Sequence, residues 1–338
     1  MQQKISLVIT SISPPNEVLK SYAVLCKQHN VGYIVIGDTK SPNDFFIEGC
    51  QFLSIEQQTK VDEAFAALLP VKHYARKNMG YLLAMQQGST VIIETDDDNF
   101  GTENFFNFYP LQTIQPVYEA MGTWVNVYQY FTDKKIWPRG LPLNRILDTP
   151  ANLRQTIAKN IAAPIQQGLA NDNPDVDAVY RLVSDVRITF DANKQIALGK
   201  LTWCPFNSQN TVWYAPAFPL LYLPSYCSFR MTDIWRSLIA QRIAWENNWH
   251  ILFYSPTVWQ ERNEHNLMKD FEDEIPGYLH NETIKQILSG LKLKGGASHV
   301  GDNLKKCYDA LIQAALIGEA EMPLLELWLQ AINKFIPQ

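Results

Sequence analysis

Four acids fall within five positions of "VIIETDDDNF" (91–100): Glu94, Asp96, Asp97 and Asp98, directly behind the apolar run Val91, Ile92 and Ile93. Two carboxylates about 5 Å apart repel by roughly 1 kcal/mol in water and several times more near a protein surface. Either a metal ion or a solvated turn with Asx-type hydrogen bonds has to offset that repulsion. If strand geometry runs through the cluster, Asp96 and Asp98 share one face and Asp97 points away. Such an Asp-x-Asp pair suits a hard divalent cation, Mg²⁺ or Mn²⁺, which keeps waters and completes its shell with phosphate oxygens. A diphosphate can then depart with its charge neutralised. Four acids after a continuous apolar run favour the metal over the turn.

Other residue types add to this chemistry. Arg76 and Lys77 open a helical pattern that leads into the acidic strand, and either neutralise phosphate or form a solvated helix start. Asp233 sits in the first turn of a helical stretch, where the helix dipole alone stabilises an acid. Arg236, three residues on, is placed to pair with it. The alternative role for Asp233 is a general base that deprotonates an acceptor hydroxyl. Asp175 and Asp177 follow Asn173-Pro174, either as turn and cap residues or as ligands for sugar hydroxyls.

The elements that must hold these residues are legible at the N-terminal end. "ISLVITSI" (5–12), "VGYIVIGDTK" (31–40) and "TVIIE" (90–94) read as buried strands, with helical patterns at 16–29, 57–69 and 75–87. This alternation predicts an α/β fold with a mostly parallel sheet flanked by helices. In such sheets ligands bind beyond the carboxyl ends of the strands. Thr10-Ser11, Gly37-Asp38-Thr39-Lys40 and Glu94–Asn99 are therefore expected to converge on one cleft. No GxGxxG or GxxxxGK[ST] follows the first strand, which disfavours a dinucleotide-binding Rossmann domain and a P-loop. Further on, "DVRITF" (185–190) and "NTVWYA" (210–215) read as short strands and 231–248 as an amphipathic helix. "WHILFYSP" (249–256) reads as a strand, "GGASHVGDN" (295–303) as a mobile loop and 304–335 as two C-terminal helices.

Of the 338 residues, 46% are apolar and 19% charged, with a net charge of −5. That balance fits a large packed core and argues against a broad nucleic-acid-binding surface. No stretch approaches the roughly 20 apolar residues of a membrane span. The five scattered cysteines form no zinc pattern and read as reduced thiols of a cytoplasmic protein. Any single tryptophan among the nine is expected in the core, although aromatic surfaces also suit stacking on sugars.

"RKNMGYLLAMQQGSTVIIETDDDN" (76–99) resembles the core of the STELLO-type glycosyltransferases, which have a GT-A nucleotide-diphospho-sugar fold. It is similar, more distantly, to the reversibly glycosylated polypeptides, the UDP-arabinopyranose mutases. "IWPRGLPLNR" (136–145), "NPDVDAVYRL" (173–182), "FRMTDIWRSLIAQR" (229–242) and "VWQERNEHNLMKDFEDE" (258–274) continue the likeness in order, over roughly residues 1–290. The resemblance implies a GT-A-like domain over 1–280, with a nucleotide-binding half (1–110), an acceptor half (111–280) and a helical segment (281–338). It implies a metal-dependent transferase using Mn²⁺ or Mg²⁺ and a nucleotide-diphosphate sugar, UDP-sugar favoured. The acceptor would be a saccharide or glycolipid, as in polysaccharide biosynthesis. The expected location is cytoplasmic, with peripheral contact at the cytoplasmic membrane face.

By the same resemblance, Asp96 and Asp98 hold the metal and Asp233 is the base. Thr10, Ser11, Asp38, Arg76, Lys77, Asn78 and Asp97 hold the donor, and Arg139, Arg145, Asp175 and Asp177 the sugar or acceptor. The mutase-like relatives carry a histidine soon after the late tryptophan. Here Gln260 takes that place, and His265, five residues on, is the candidate additional metal ligand. Ile146 replaces the acid that follows the sugar-carrying arginine in the mutases, which weakens a ring-form mutase as the alternative. A non-catalytic GT-A-like scaffold is the other alternative, and the intact acid cluster argues against it.

Overall fold

The computed structural model describes residues 3–148, 153, 155–184, 186–261 and 266–335. The chain opens with β1 (Ile5–Thr10) and turns through Pro14-Pro15 into α1 (Glu17–His29). The Asn16 side chain caps α1, accepting from the Leu19 N–H at 2.9 Å. β2 (Gly32–Ile36), β3 (Gln51–Leu53), the short helices α2 (Ile55–Gln58) and α3 (Glu63–Leu68), α4 (Lys77–Gln86) and β4 (Val91–Thr95) follow.

These four strands lie in the order β3-β2-β1-β4, all parallel. Both faces of the sheet are covered. Leu7 and Ile9 pack in one core with Val18, Leu19 and Tyr22 of α1, while Val8 packs in another with Met79 and Leu82 of α4. That two-sided burial is why the strands read as unbroken apolar runs. Gly80 lets α4 sit directly on the sheet: a Cβ there would lie 2.5 Å from Val8 Cγ1 and 2.9 Å from Ile36 Cγ1.

Beyond β4 the sheet changes character. The chain adds β5 (Asn99–Gly101), β6 (Gln112–Tyr118), α5 (Tyr128–Phe131), β7 (Ile157–Asn171), α6 (Ala178–Val183) and β8 (Gln195–Leu198). β9 (Asn210–Tyr214), α7 (Thr232–Glu246) and β10 (Trp249–Gln260) complete the sheet and its central helix. From β4 the strand order continues β9-β7-β6-β8-β10-β5. The pairs β4–β9, β7–β9, β6–β7, β8–β10 and β5–β10 are antiparallel, so the sheet is mixed where a mostly parallel one was expected. β7 also pairs with β10, so β7, β6, β8 and β10 close on one another around Val117, Ile161, Ala163, Ala197 and Leu252.

Other local expectations are corrected. The described part of "DVRITF", residues 186–190, supplies a bridge between Ile188 and Asp172 rather than a strand. β7 was hidden by Pro164, Gln166, Gln167 and Gly168, which interrupt its apolar pattern. α7 is buried on nearly every side, from Thr232 to Trp245, rather than amphipathic. Its outer side is covered by α8 (Leu267–Gly290) and α9 (Val300–Gln313), with α10 (Glu321–Phe335) packed on α9, α3 and α4. The expected mobile loop at 295–303 is instead a 3₁₀ turn and the start of α9. There the buried Asn303 side chain accepts from the Lys294 N–H at 3.0 Å and donates to its C=O at 2.7 Å. Seven of the tryptophans are buried, as the core reading predicted. No described helix is long and apolar enough to cross a membrane.

Candidate active site

The carboxyl ends of β1, β2 and β4 open onto a cleft of about 510 Å³. Thr10, Ser11 and Asp38 line it together with Asp96, Asp97 and Asp98, and the second half of the chain contributes Arg139, Asp175 and Asp233. β4 stops at Thr95, so strand alternation does not govern the acids. Residues 96–98 form a turn in which the Asn99 N–H reaches the Asp96 C=O at 3.4 Å. All three acids border the cleft, which corrects the expectation that Asp97 points away.

Each acid has its own surroundings. Asp96 Oδ1 accepts from the Tyr74 hydroxyl at 2.8 Å and pairs with Lys77 Nζ at 3.3 Å. Asp97 Oδ2 accepts from the Ser11 hydroxyl at 2.5 Å, and Asn16 Nδ2 donates to the Asp97 C=O at 2.9 Å. Asp98 is buried and accepts from Gln260 Nε2 at 3.0 Å and Asn99 Nδ2 at 3.2 Å. Burial raises the Asp96 pKa to about 6; Lys77 opposes the rise and Asp98 adds to it. Asp97 is raised too, by burial first and by Asp98, against the Ser11 hydrogen bond.

The donor set fits a hard cation: carboxylate oxygens from two residues border one cleft, and their mutual repulsion is what a cation would relieve. Among the described residues no group of three or more carboxylate, imidazole or thiolate side chains could hold a metal. A cation at Asp96 and Asp98 would therefore need water or ligand oxygens for the rest of its shell. His265, the expected additional ligand, lies outside the described residues.

Arg139 is clamped between two acids. Its Nε and Nη2 donate to Asp175 at 2.8 Å each, and its Nη1 and Nη2 donate to Asp233 at 3.0 and 2.9 Å. The Arg230 C=O accepts from Nη1 as well. The neighbouring Gly140 has φ +89°, and a Cβ there would lie 2.5 Å from Ile234 Cγ2, so the turn is pressed against α7. Ser208 donates to Asp233 Oδ2 from both its N–H and its hydroxyl at 3.2 Å. Burial alone would raise Asp233, but Arg139 overrides it and holds the carboxyl down to about 2. A carboxylate so engaged is a weak proton acceptor, which counts against Asp233 as the general base. Its expected partner Arg236 turns away and pairs with Glu94 instead, at 2.7 and 3.1 Å.

Glu94 belongs to the core. Besides Arg236 it accepts from Trp213 Nε1 at 2.8 Å and from the Tyr81 hydroxyl. Four further candidates have partners of their own in the fold. Arg76 borders the cleft, but its guanidinium is spent on Gln58 Oε1 (2.7 Å) and the Leu69 C=O (2.9 Å). The Asn78 side chain bonds the Leu223 backbone from both its amide groups. Asp177 is fully buried, caps α6 by accepting from the Tyr180 N–H and accepts from Trp137 Nε1. Arg145 is exposed and pairs with Asp148 at 3.2 Å, away from the residues that line the cleft. Lys77 is buried beneath the acids, donating to the Thr95 C=O and the Tyr74 hydroxyl at 2.7 Å each, so it pins the end of β4.

Three lining residues carried no signal in the sequence: Lys72, His73 and Tyr74. The Tyr74 hydroxyl lies 2.7 Å from Ser208 Oγ, which links the Asp96 and Asp233 sides of the cleft. His73 presents its N–H to Asp38 Oδ2 at 3.0 Å, and its Nδ1 accepts from the Ala75 N–H at 3.0 Å. Burial lowers its pKa, with Asp38 opposing. Their only hint was position, in the polar stretch ahead of α4.

The architecture defines an α/β protein with a cleft lined by carboxylates and basic side chains at the carboxyl ends of its parallel strands. The family model for STELLO glycosyltransferases matches residues 230–336. The chain is 30% identical over 270 residues to two proteins of Arabidopsis thaliana, "Probable glycosyltransferase STELLO2" and "Probable glycosyltransferase STELLO1", an alignment covering 75% of this chain and 35% of each relative. The chain is thus similar to the STELLO glycosyltransferases and spans about a third of the length of these relatives. A crystal structure of a mycobacterial protein superposes with a TM-score of 0.43 at 10% identity, over 84% of this chain and 74% of that one. The family match extends to residue 336, past the roughly 290 residues over which the motifs carried the likeness.

Proposed function

We propose that the cleft binds a nucleotide-diphosphate sugar, a UDP-sugar in the first instance, and that the chain transfers the sugar to a saccharide or glycolipid acceptor. The observation that supports this most is the convergence of Asp38 with Asp96, Asp97 and Asp98 at the ends of parallel strands. In this reading Thr10, Ser11 and Asp38 meet the base and ribose, and Lys40 and Lys72, which also line the cleft, meet the diphosphate charge. Asp96 and Asp98 would hold Mn²⁺ or Mg²⁺, which when bound neutralises the departing diphosphate. Asp97 is oriented by Ser11 towards the same end. Arg139, with Asp175 and Asp233, fixes the wall on the acceptor side, and Asp233 is assigned to positioning rather than to proton transfer.

The mutase alternative is weakened because Arg145, the matching position for a sugar-carrying arginine, is paired with Asp148 outside the cleft. Cysteines without disulfides are compatible with a cytoplasmic setting, which this reading includes together with contact at the membrane face. The test is a thermal-shift series with nucleoside diphosphates, with and without Mn²⁺. Ligand at about 100 times Kd adds about 2.7 kcal/mol of stability. UDP is expected to stabilise the protein only with Mn²⁺, and Asp98→Ala to abolish that shift while the unliganded protein stays folded. If no nucleoside diphosphate gives metal-dependent stabilisation, the proposal fails.

A further inference from the structure

A second pocket, of about 480 Å³, adjoins the cleft on the far side of Gln260 and Arg181, which line both. Its residues include Trp259, Asp172, Asn173 and Arg187. Trp259 stands opposite Phe100 across the β10–β5 pair, and the two rings stack with centroids 4.4 Å apart and planes 9° apart. Phe100 thus covers one face of the indole. The side chain is nonetheless 37% exposed on a strand whose neighbour Val258 is fully buried. An indole fixed from behind and open in front is a flat apolar platform.

Planar polar groups surround that platform. Asn173 Oδ1 accepts from Arg181 Nη1 at 3.0 Å, and Asn173 Nδ2 donates to the Gln260 C=O at 2.9 Å. Gln260 Nε2 in turn donates to Asp98 Oδ2 at 3.0 Å. The pocket is therefore joined by a short hydrogen-bonded ridge to the acid cluster of the cleft. Arg187 is exposed and Asp172 half-buried at its rim.

We infer that this pocket is a saccharide-binding subsite, in which a neutral sugar ring lies on Trp259 while its hydroxyls meet Asn173, Asp172 and Arg187. The chemistry is that of a sugar: an apolar C–H face for the indole, and adjacent hydroxyls that paired oxygens or nitrogens on planar side chains engage two at a time. The inference deepens the transfer reading and rests on it for the sugar's role as acceptor. Gln260, the residue after the platform, lines both pockets and is in contact with Asp98.

The test is saturation-transfer NMR and titration calorimetry on the full chain, without metal or nucleotide. The probes are maltotriose, cellotriose and mannotriose, with uridine as a competitor. At least one trisaccharide is expected to bind. Trp259→Ala should weaken it about fivefold or more, Trp259→Phe should restore most of the affinity, and Arg187→Ala, at an exposed position, should weaken it as well. The inference is overturned if none of the three binds, if Trp259→Ala binds within twofold of the parent, or if uridine displaces the sugar. Because neither metal nor nucleotide is present, failure of the donor reading in the thermal-shift series would leave this result standing.

Discussion

Arg139→Leu removes the guanidinium that Asp175 and Asp233 share, and its cost can be worked from the geometry. Arg139, Asp175 and Asp233 are all largely withdrawn from water, at 7%, 12% and 8% side-chain exposure. Asp233, lowered from 3.8 to about 2, draws about 2 kcal/mol from its surroundings, chiefly Arg139. Leucine leaves both carboxylates near one another with no cation, so the expected loss is about 3–5 kcal/mol at pH 7. The pH dependence carries a sign. In the parent, Asp233 stabilises the fold above pH 3.8, and that contribution is lost only as pH falls through about 2. In the variant, burial without a partner raises the carboxyls, so the penalty is full at neutral pH and fades as acid protonates them. Urea unfolding of parent and variant at pH 7 and pH 4.5 measures this directly. The gap should narrow at the lower pH, and adding Asp175→Asn and Asp233→Asn should recover at least half of the loss. A loss below about 1 kcal/mol, or a gap that does not move with pH, would refute the clamp.

Two further outcomes follow from the core. Glu94→Gln leaves Arg236 buried beside Trp213 without its anion, and should cost about 3–5 kcal/mol in urea unfolding; pairing it with Arg236→Met should return part of that. Trp328→Ala empties a fully buried site where the indole packs against Phe65 and Tyr222 and donates to the Pro219 C=O at 3.0 Å. A cost of about 3–5 kcal/mol in one cooperative transition is expected, whereas a separate early transition would show that α10 unfolds independently.

The first third of the chain was largely readable because β1, β2 and β4 are buried on both faces and α1 shows one apolar stripe. β1, β2, β4 and α1 fall where their patterns put them, and helix–strand alternation fixes the parallel order that aligns their carboxyl ends. The second half was not readable for a physical reason. Its strands carry buried polar residues, such as Gln166, Gln167, Asn210 and Thr211, which make hydrogen bonds to elements distant in sequence. α7 reads as amphipathic from Ile234, Leu238 and Trp245 on one side, yet its Arg236, Gln241 and Arg242 are buried as well. Glu94, the Cys204 N–H and the Leu288 C=O, all supplied by other elements, satisfy them inside the core.

The same division runs through the acid cluster. The sequence by itself determined that carboxylates crowd the end of a core strand and that strand ends of this fold meet at a cleft. Only the tertiary structure decided their roles. It ended β4 at Thr95, which released Asp96, Asp97 and Asp98 from strand alternation. It buried Glu94 against Arg236 and gave Arg139, not Arg236, to Asp233. The spacing of residues along a strand or helix states which side chains share a face. Which charge meets which depends on chain segments 94 to 142 residues apart, and their pairing is settled by the low-dielectric cost of leaving any one of them alone.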